Sequence, residues 1–119
     1  MRNMFKPPAL SIDLKKNRIR IYKRTLYAIG DPRFILLLVN PEDRSIVILS
    51  SNEKDQRAFR IPQMRNPDKQ YIELNSKALV QNLRSMCQDW MDNRVYRIIG
   101  GVFENEGIVK FCISEAIAL

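Results

Sequence analysis

Between Asn17 and Ser51 the spacing of apolar residues changes period several times within one short stretch, which permits few folds. Arg18 to Tyr22 alternates basic and apolar residues, so Ile19 and Ile21 can face a core while Arg18 and Arg20 face out, as in a half-buried strand. Lys23 to Ile29 then reads as a short helix, with Gly30 at the position of a left-handed cap and Pro32 beyond it to stop continuation. Phe34 to Val39 is an apolar run of strand length, Asn40 to Asp43 a turn, and Ser45 to Ser50 a returning strand. The order is strand, helix, strand, strand, and its start is strongly basic.

The rest of the chain repeats that order. Ala9 to Leu14 alternates on the N-terminal side, and Lys15-Lys16-Asn17 folds it back on Arg18 to Tyr22 as a hairpin. Arg57 to Ile61 is a short strand closed by Pro62. Gln70 to Leu74 is another strand, and Asn75 or Ser76 caps a helix expected to run to Trp90. Leu79, Leu83, Met86 and Trp90 form its apolar stripe, while Lys77, Gln81, Arg84 and Gln88 recur on a second face that has no acid. Val95 to Phe103 and Ile108 to Ser114 are strands joined by a turn over Glu104 to Gly107. Gly100-Gly101 marks a bulge or a close backbone approach. Ala116 to Leu119 ends the sequence as an apolar strand able to continue into a neighbour.

These elements predict an α+β fold: two strand-helix-strand-strand units, about eight strands in all, with two helices on one face of the sheet. The expected organisation is a flexible arm over residues 1–8 and a single domain over 9–119. That domain is made of two similar halves, 9–62 and 70–119, joined by a connector over 63–69. The shared pattern is not accompanied by sequence identity strong enough to prove a duplication.

Charge narrows the function. The chain of 119 residues carries a net charge of +7. All of that excess lies before Asp31, where Arg2, Lys6, Lys15, Lys16, Arg18, Arg20, Lys23 and Arg24 face Asp13 alone. A localised basic surface is the electrostatic footprint of a polyanion binder. Solubilising charge, or protection of a sheet edge by Arg18 and Arg20, uses the same residues differently. With no histidine, Ser-His and Cys-His nucleophile pairs are excluded. The four glycines make no phosphate-cradling loop, and Glu42, Asp43, Glu53, Asp55, Glu104 and Glu106 all fall in turns. Neither an enzyme nor a bound cofactor is expected. Cys87 and Cys112 read as buried thiols, without metal-ligand spacing. No apolar run approaches the roughly 20 residues of a membrane span. Residues 1 to 10 lack the pattern of a signal peptide, and a cytoplasmic location is expected.

Two resemblances give this basic surface a purpose. The doubled pattern, with Lys77, Gln81, Arg84 and Gln88 on one helix and Lys23 and Arg24 on the other, resembles a domain of the DNA sliding clamps. That resemblance implies a homo-oligomeric ring, closed by six copies, that encircles double-stranded DNA through phosphate contacts and serves a DNA polymerase or another replication protein. Ser11 to Ser50, with Ile12, Arg18, Ile19, Ile21, Lys23, Leu26, Gly30, Leu37, Val39, Ile46 and Ile48 at matching positions, resembles the AbrB-type swapped-hairpin domain of bacterial regulators and antitoxins. It implies a dimer that contacts DNA through Lys15, Lys16, Arg18, Arg20 and Arg24. Here Tyr22 stands where that family usually has proline, and Pro32 interrupts the loop before the third strand. A third class is an adaptor of a phage or mobile element that binds a host protein through a sheet edge or a surface containing Met64, Met86 and Met91. Those methionines equally suit a core.

Overall fold

Alternation at every second residue builds almost the whole molecule. The computed structural model describes residues 6–62 and 68–119. Most of the expected arm, and residues 63–67 of the expected connector with Met64, lie outside the described residues. Nine strands and two helices follow in order: β1 (Ala9–Asp13), β2 (Arg18–Tyr22), α1 (Lys23–Ala28), β3 (Phe34–Asn40), β4 (Ser45–Ser50), β5 (Phe59–Arg60), β6 (Tyr71–Asn75), α2 (Lys77–Ser85), β7 (Val95–Phe103), β8 (Ile108–Cys112) and β9 (Ile117–Ala118). Leu10 and Ile12, Ile19 and Ile21, Ile35 and Leu37, Ile46 and Ile48, Ile72 and Leu74, Tyr96 and Ile98, and Val109 and Phe111 all project into one core. Each pair is spaced by two, as a sheet with one buried face requires.

Every strand pairing is antiparallel, and the sheet runs β5-β3-β4-β8-β7-β1-β2-β6, with β9 on β7. It curls into a nearly closed barrel. The β3–β4 hairpin is separated from the β1–β2 hairpin by the β7–β8 hairpin, and β6 lies on the far side of β2. Hairpins from residues before 63 and after 67 therefore alternate around the barrel, and neither set forms a continuous sheet alone.

The expected α+β architecture is overturned. Strands take up 42% of the structure and the fold is mainly β. The helices, six and nine residues long, span only about 9 and 14 Å at 1.5 Å per residue. They do not form a layer on one face. β2 and β6 lie antiparallel, Arg18 opposite Asn75 and Tyr22 opposite Tyr71. α1 leaves the end of β2 and α2 leaves the end of β6, so the pairing sends the two helices to opposite ends of the barrel. At one end, the buried Thr25 of α1 takes over both backbone groups of Ala9, accepting its N–H and donating to its carbonyl, each at 2.9 Å.

At the other end, α2 begins where the Ser76 hydroxyl accepts the Leu79 N–H at 3.2 Å. Ser76→Ala should therefore cost about 1 kcal/mol in urea denaturation, and Ser76→Asp should retain most of that stability. The helix stops at Ser85, short of the expected Trp90. The chain leaves it in turns because Trp90 must stack on Tyr96, with ring centroids 4.5 Å apart, while the Met91 N–H donates to the Tyr96 hydroxyl. The C-terminal strand is two residues long and pairs with this chain's own β7, after a 3₁₀ turn over Ile113–Glu115 that replaces the end of the expected Ile108 to Ser114 strand.

Candidate nucleic-acid interface

Lys15 and Lys16 occupy the tip of the first hairpin. The Asp13 carboxylate, nearly buried, accepts both of their backbone N–H groups at 3.0 Å through one oxygen. This local turn fixes the backbone and leaves both side chains exposed. Asn17 closes the turn at φ 53°, a left-handed conformation that asparagine tolerates better than most residues.

Asn17 also ties the tip to the second helix. Its carbonyl accepts the Ser76 N–H at 3.2 Å, and its side-chain oxygen accepts the Gln81 amide at 3.1 Å. The Leu14 N–H donates to the Arg94 carbonyl. Lys15, Lys16, Lys77, Gln81 and Arg94 thus gather from three chain segments at one end of the barrel. Among the described residues, no acid or other side chain pairs with Lys15, Lys16, Lys77 or Arg94, all of which are exposed.

Arg18 and Arg20 lie beside this tip on the outer face of the sheet, and both hold Glu73. The Glu73 carboxylate oxygen is 2.9 Å from Arg20 Nε and 3.3 Å from Arg18 Nη1. Arg20 also stacks over Tyr71 at 4.7 Å. The side chains of Arg18 and Arg20 are only 20% and 32% exposed, so they enter the surface as members of an ion-pair network and not as extended arms. Arg97, two strands away on the same face, is half-buried and has no ion pair among the described residues.

The remaining expected contacts separate. Lys23 and Arg24 belong to α1 at the opposite end of the barrel, where the Lys23 backbone N–H bonds to Gln70 and the Arg24 guanidinium donates to the Pro7 carbonyl and covers Tyr22. Arg84 is taken by Asp92 at 2.7 Å and by the Cys87 carbonyl at 2.9 Å. Gln88 falls after the helix, exposed in the run of turns. The acid-free helical face therefore ends after Arg84, and the two helices present no common surface.

Arg94 and Arg97 escaped the sequence reading. The alternation of Arg97 with Tyr96 and Ile98 marks it as outward-facing, but no local pattern says that β1 is its neighbour. Arg94 lies in a loop and carries no periodic signal. Two of the acids in the turns, Asp43 and Asp55, are held by neighbouring cations or a hydroxyl. The Ser45 hydroxyl and the Lys110 ammonium keep Asp43 below the usual carboxylate range, and Arg57 does the same for Asp55. Burial pushes the Cys87 thiol up, against a weaker opposing effect of Arg44.

No protein-family model matches this sequence, and no curated protein or solved structure matches it. Among the described residues, no helix is long and apolar enough to cross a membrane.

Proposed function

We propose that this protein binds double-stranded DNA through the tip of the β1–β2 hairpin and the cations gathered around it. One observation carries the reading. Lys15, Lys16, Lys77, Arg94 and Arg97 converge from the first hairpin, the start of α2, the loop before β7 and β7 itself, and none of their side chains pairs with an acid among the described residues. Cations brought together without counter-charges repel one another, and a phosphate backbone relieves that cost. Binding is then mainly to phosphates, with modest sequence information.

Of the two resemblances, the interleaved hairpins favour the swapped-hairpin regulator. A basic first hairpin is on the surface, whereas the clamp reading needs two helices sharing one phosphate-facing side. The reading is tested by titrating a short duplex into isotopically labelled protein. Amide signals of residues 14–18, 76–81 and 94–97 should move, while those of 23–28 and 104–107 stay in place. Movement centred on α1 and the β7–β8 turn would reject this interface.

A further inference from the structure

Three polar atoms among the described residues are buried without a hydrogen-bond partner: Ser11 Oγ, Arg18 Nε and Arg97 Nε. All three belong to one small area on the outer face of the sheet. Ser11 is directly opposite Arg20 on β2 and directly opposite Arg97 on β7, and Arg18 sits one row along, opposite Asp13. Directly opposed residues in a sheet have Cβ atoms about 5 Å apart and diagonal neighbours about 7 Å. Ser11 therefore lies between the two orphaned arginines, directly beside Arg97 and diagonal to Arg18, so a ligand at its hydroxyl is approached from both sides. Arg18 Nε does face Asp13, but at 3.6 Å, an ion-pair separation too long for a hydrogen bond.

The chemistry of the three orphans leans one way. The two arginine nitrogens can only donate, and the serine hydroxyl can donate as well as accept. What this area lacks is an acceptor with several lone pairs. The acids in the area do not supply it: Glu73 is held by Arg18 and Arg20, and Asp13 accepts the backbone of its own turn. Ser11 is 3% exposed, and leaving a hydroxyl and two guanidinium N–H groups unsatisfied in such a place costs free energy. Donors arriving from three strands suit a tetrahedral oxyanion, which offers oxygens in several directions, better than a planar carboxylate with two.

We infer that Ser11, Arg18 and Arg97 form a seat for a phosphate group, with Arg20 adding charge from the other side of Ser11. A phosphate there accepts from the Ser11 hydroxyl and from the Nε–H groups of both arginines. The inference rests on the proposed DNA binding only for the source of the phosphate, since a strand backbone and free inorganic phosphate offer the same oxygens.

The test follows the arginine Nε–H and Ser11 amide resonances of the folded protein. Sodium phosphate is added, with sodium chloride at matched ionic strength as the control. Arg97 and Arg18 should shift and saturate with phosphate alone. Ser11→Ala and Arg97→Gln, each shown to be folded by its melting curve, should weaken phosphate about tenfold, the value of one charge-assisted hydrogen bond. Arg97→Lys should recover little, because lysine presents no fixed fork of donors. A short duplex that moves the same arginine signals assigns the seat to the DNA backbone. A duplex that moves the hairpin tip and leaves Arg97 unchanged assigns it to free phosphate. Equal responses to phosphate and chloride, or full phosphate affinity in Ser11→Ala, would overturn the seat even if the duplex still binds at Lys15 and Lys16.

Discussion

Gly100→Ala is expected to destabilise the protein by about 2–3 kcal/mol, the upper part of the range for overpacking a dense core. A Cβ at this position would lie 2.6 and 2.7 Å from two ring carbons of Phe111 and 2.8 Å from the Lys110 carbonyl oxygen. Neither can give way. Phe111 is fully buried, and Lys110 belongs to the strand paired with this part of β7. Gly100 stands where β7 changes partners: up to Ile99 it pairs with β1, and from Gly100 it pairs with β8. Its N–H also holds the Pro8 carbonyl at 2.9 Å. Any displacement of this residue thus disturbs the junction of two parts of the barrel.

The neighbouring residue supplies the control. A Cβ on Gly101 meets nothing within 4 Å, so Gly101→Ala should be neutral or slightly stabilising through the unfolded chain. Phe111→Ala alone should cost about 3–5 kcal/mol. Combined with Gly100→Ala it should cost less than the sum, because the ring clash disappears while the carbonyl clash remains. Urea unfolding of the four variants reads all of this. Additive behaviour would mean that the close approach of Gly100 to Phe111 does not constrain the barrel.

The second large effect is on binding. Replacing Lys15, Lys16, Lys77 and Arg94 together by alanine should weaken duplex binding by about two to three orders of magnitude at low salt, since sequence-independent affinity comes almost wholly from phosphate neutralisation. These four side chains are exposed and make no side-chain bond to the rest of the described residues, so the melting temperature should hardly change. Lys23→Ala with Arg24→Ala, at the opposite end of the barrel, should leave affinity within a few-fold. A larger loss from that pair than from the first four would relocate the interface to α1.

Period-two alternation made most of the strands legible. Arg18 to Tyr22 and Val95 to Phe103 are strands with the expected bounds, because apolar inward and polar outward residues alternate cleanly there. Helix length was misread where the apolar stripe continued past the helix. Met86 and Trp90 keep helical spacing, yet Trp90 is buried by stacking on Tyr96 after the chain has left the helix. Architecture was misread for a different reason. The local order strand-helix-strand-strand is the same for a layered sheet and for a barrel, and only the pairing of β2 with β6 decides where the helices go. That pairing joins residues about fifty positions apart and leaves no local trace.

The same limit governed the interface. Lys15 and Lys16 could be read from their turn, but their closeness to Lys77 depends on Asn17 bridging to Gln81 and Ser76. Arg97 becomes visible only when β7 is placed against Ser11. Arg18 and Arg20 face outward as expected, but no periodicity announces that Glu73 will hold both of them.

The central claim is electrostatic, and a salt series on one duplex tests it most directly. Five cations contacting phosphates should give a slope of about −4 to −5 in a plot of log binding constant against log salt concentration, at roughly 0.9 per phosphate neutralised. The variant lacking Lys15, Lys16, Lys77 and Arg94 should flatten that slope to about −1. No measurable binding at low salt, or an equal slope in the two proteins, would contradict the account.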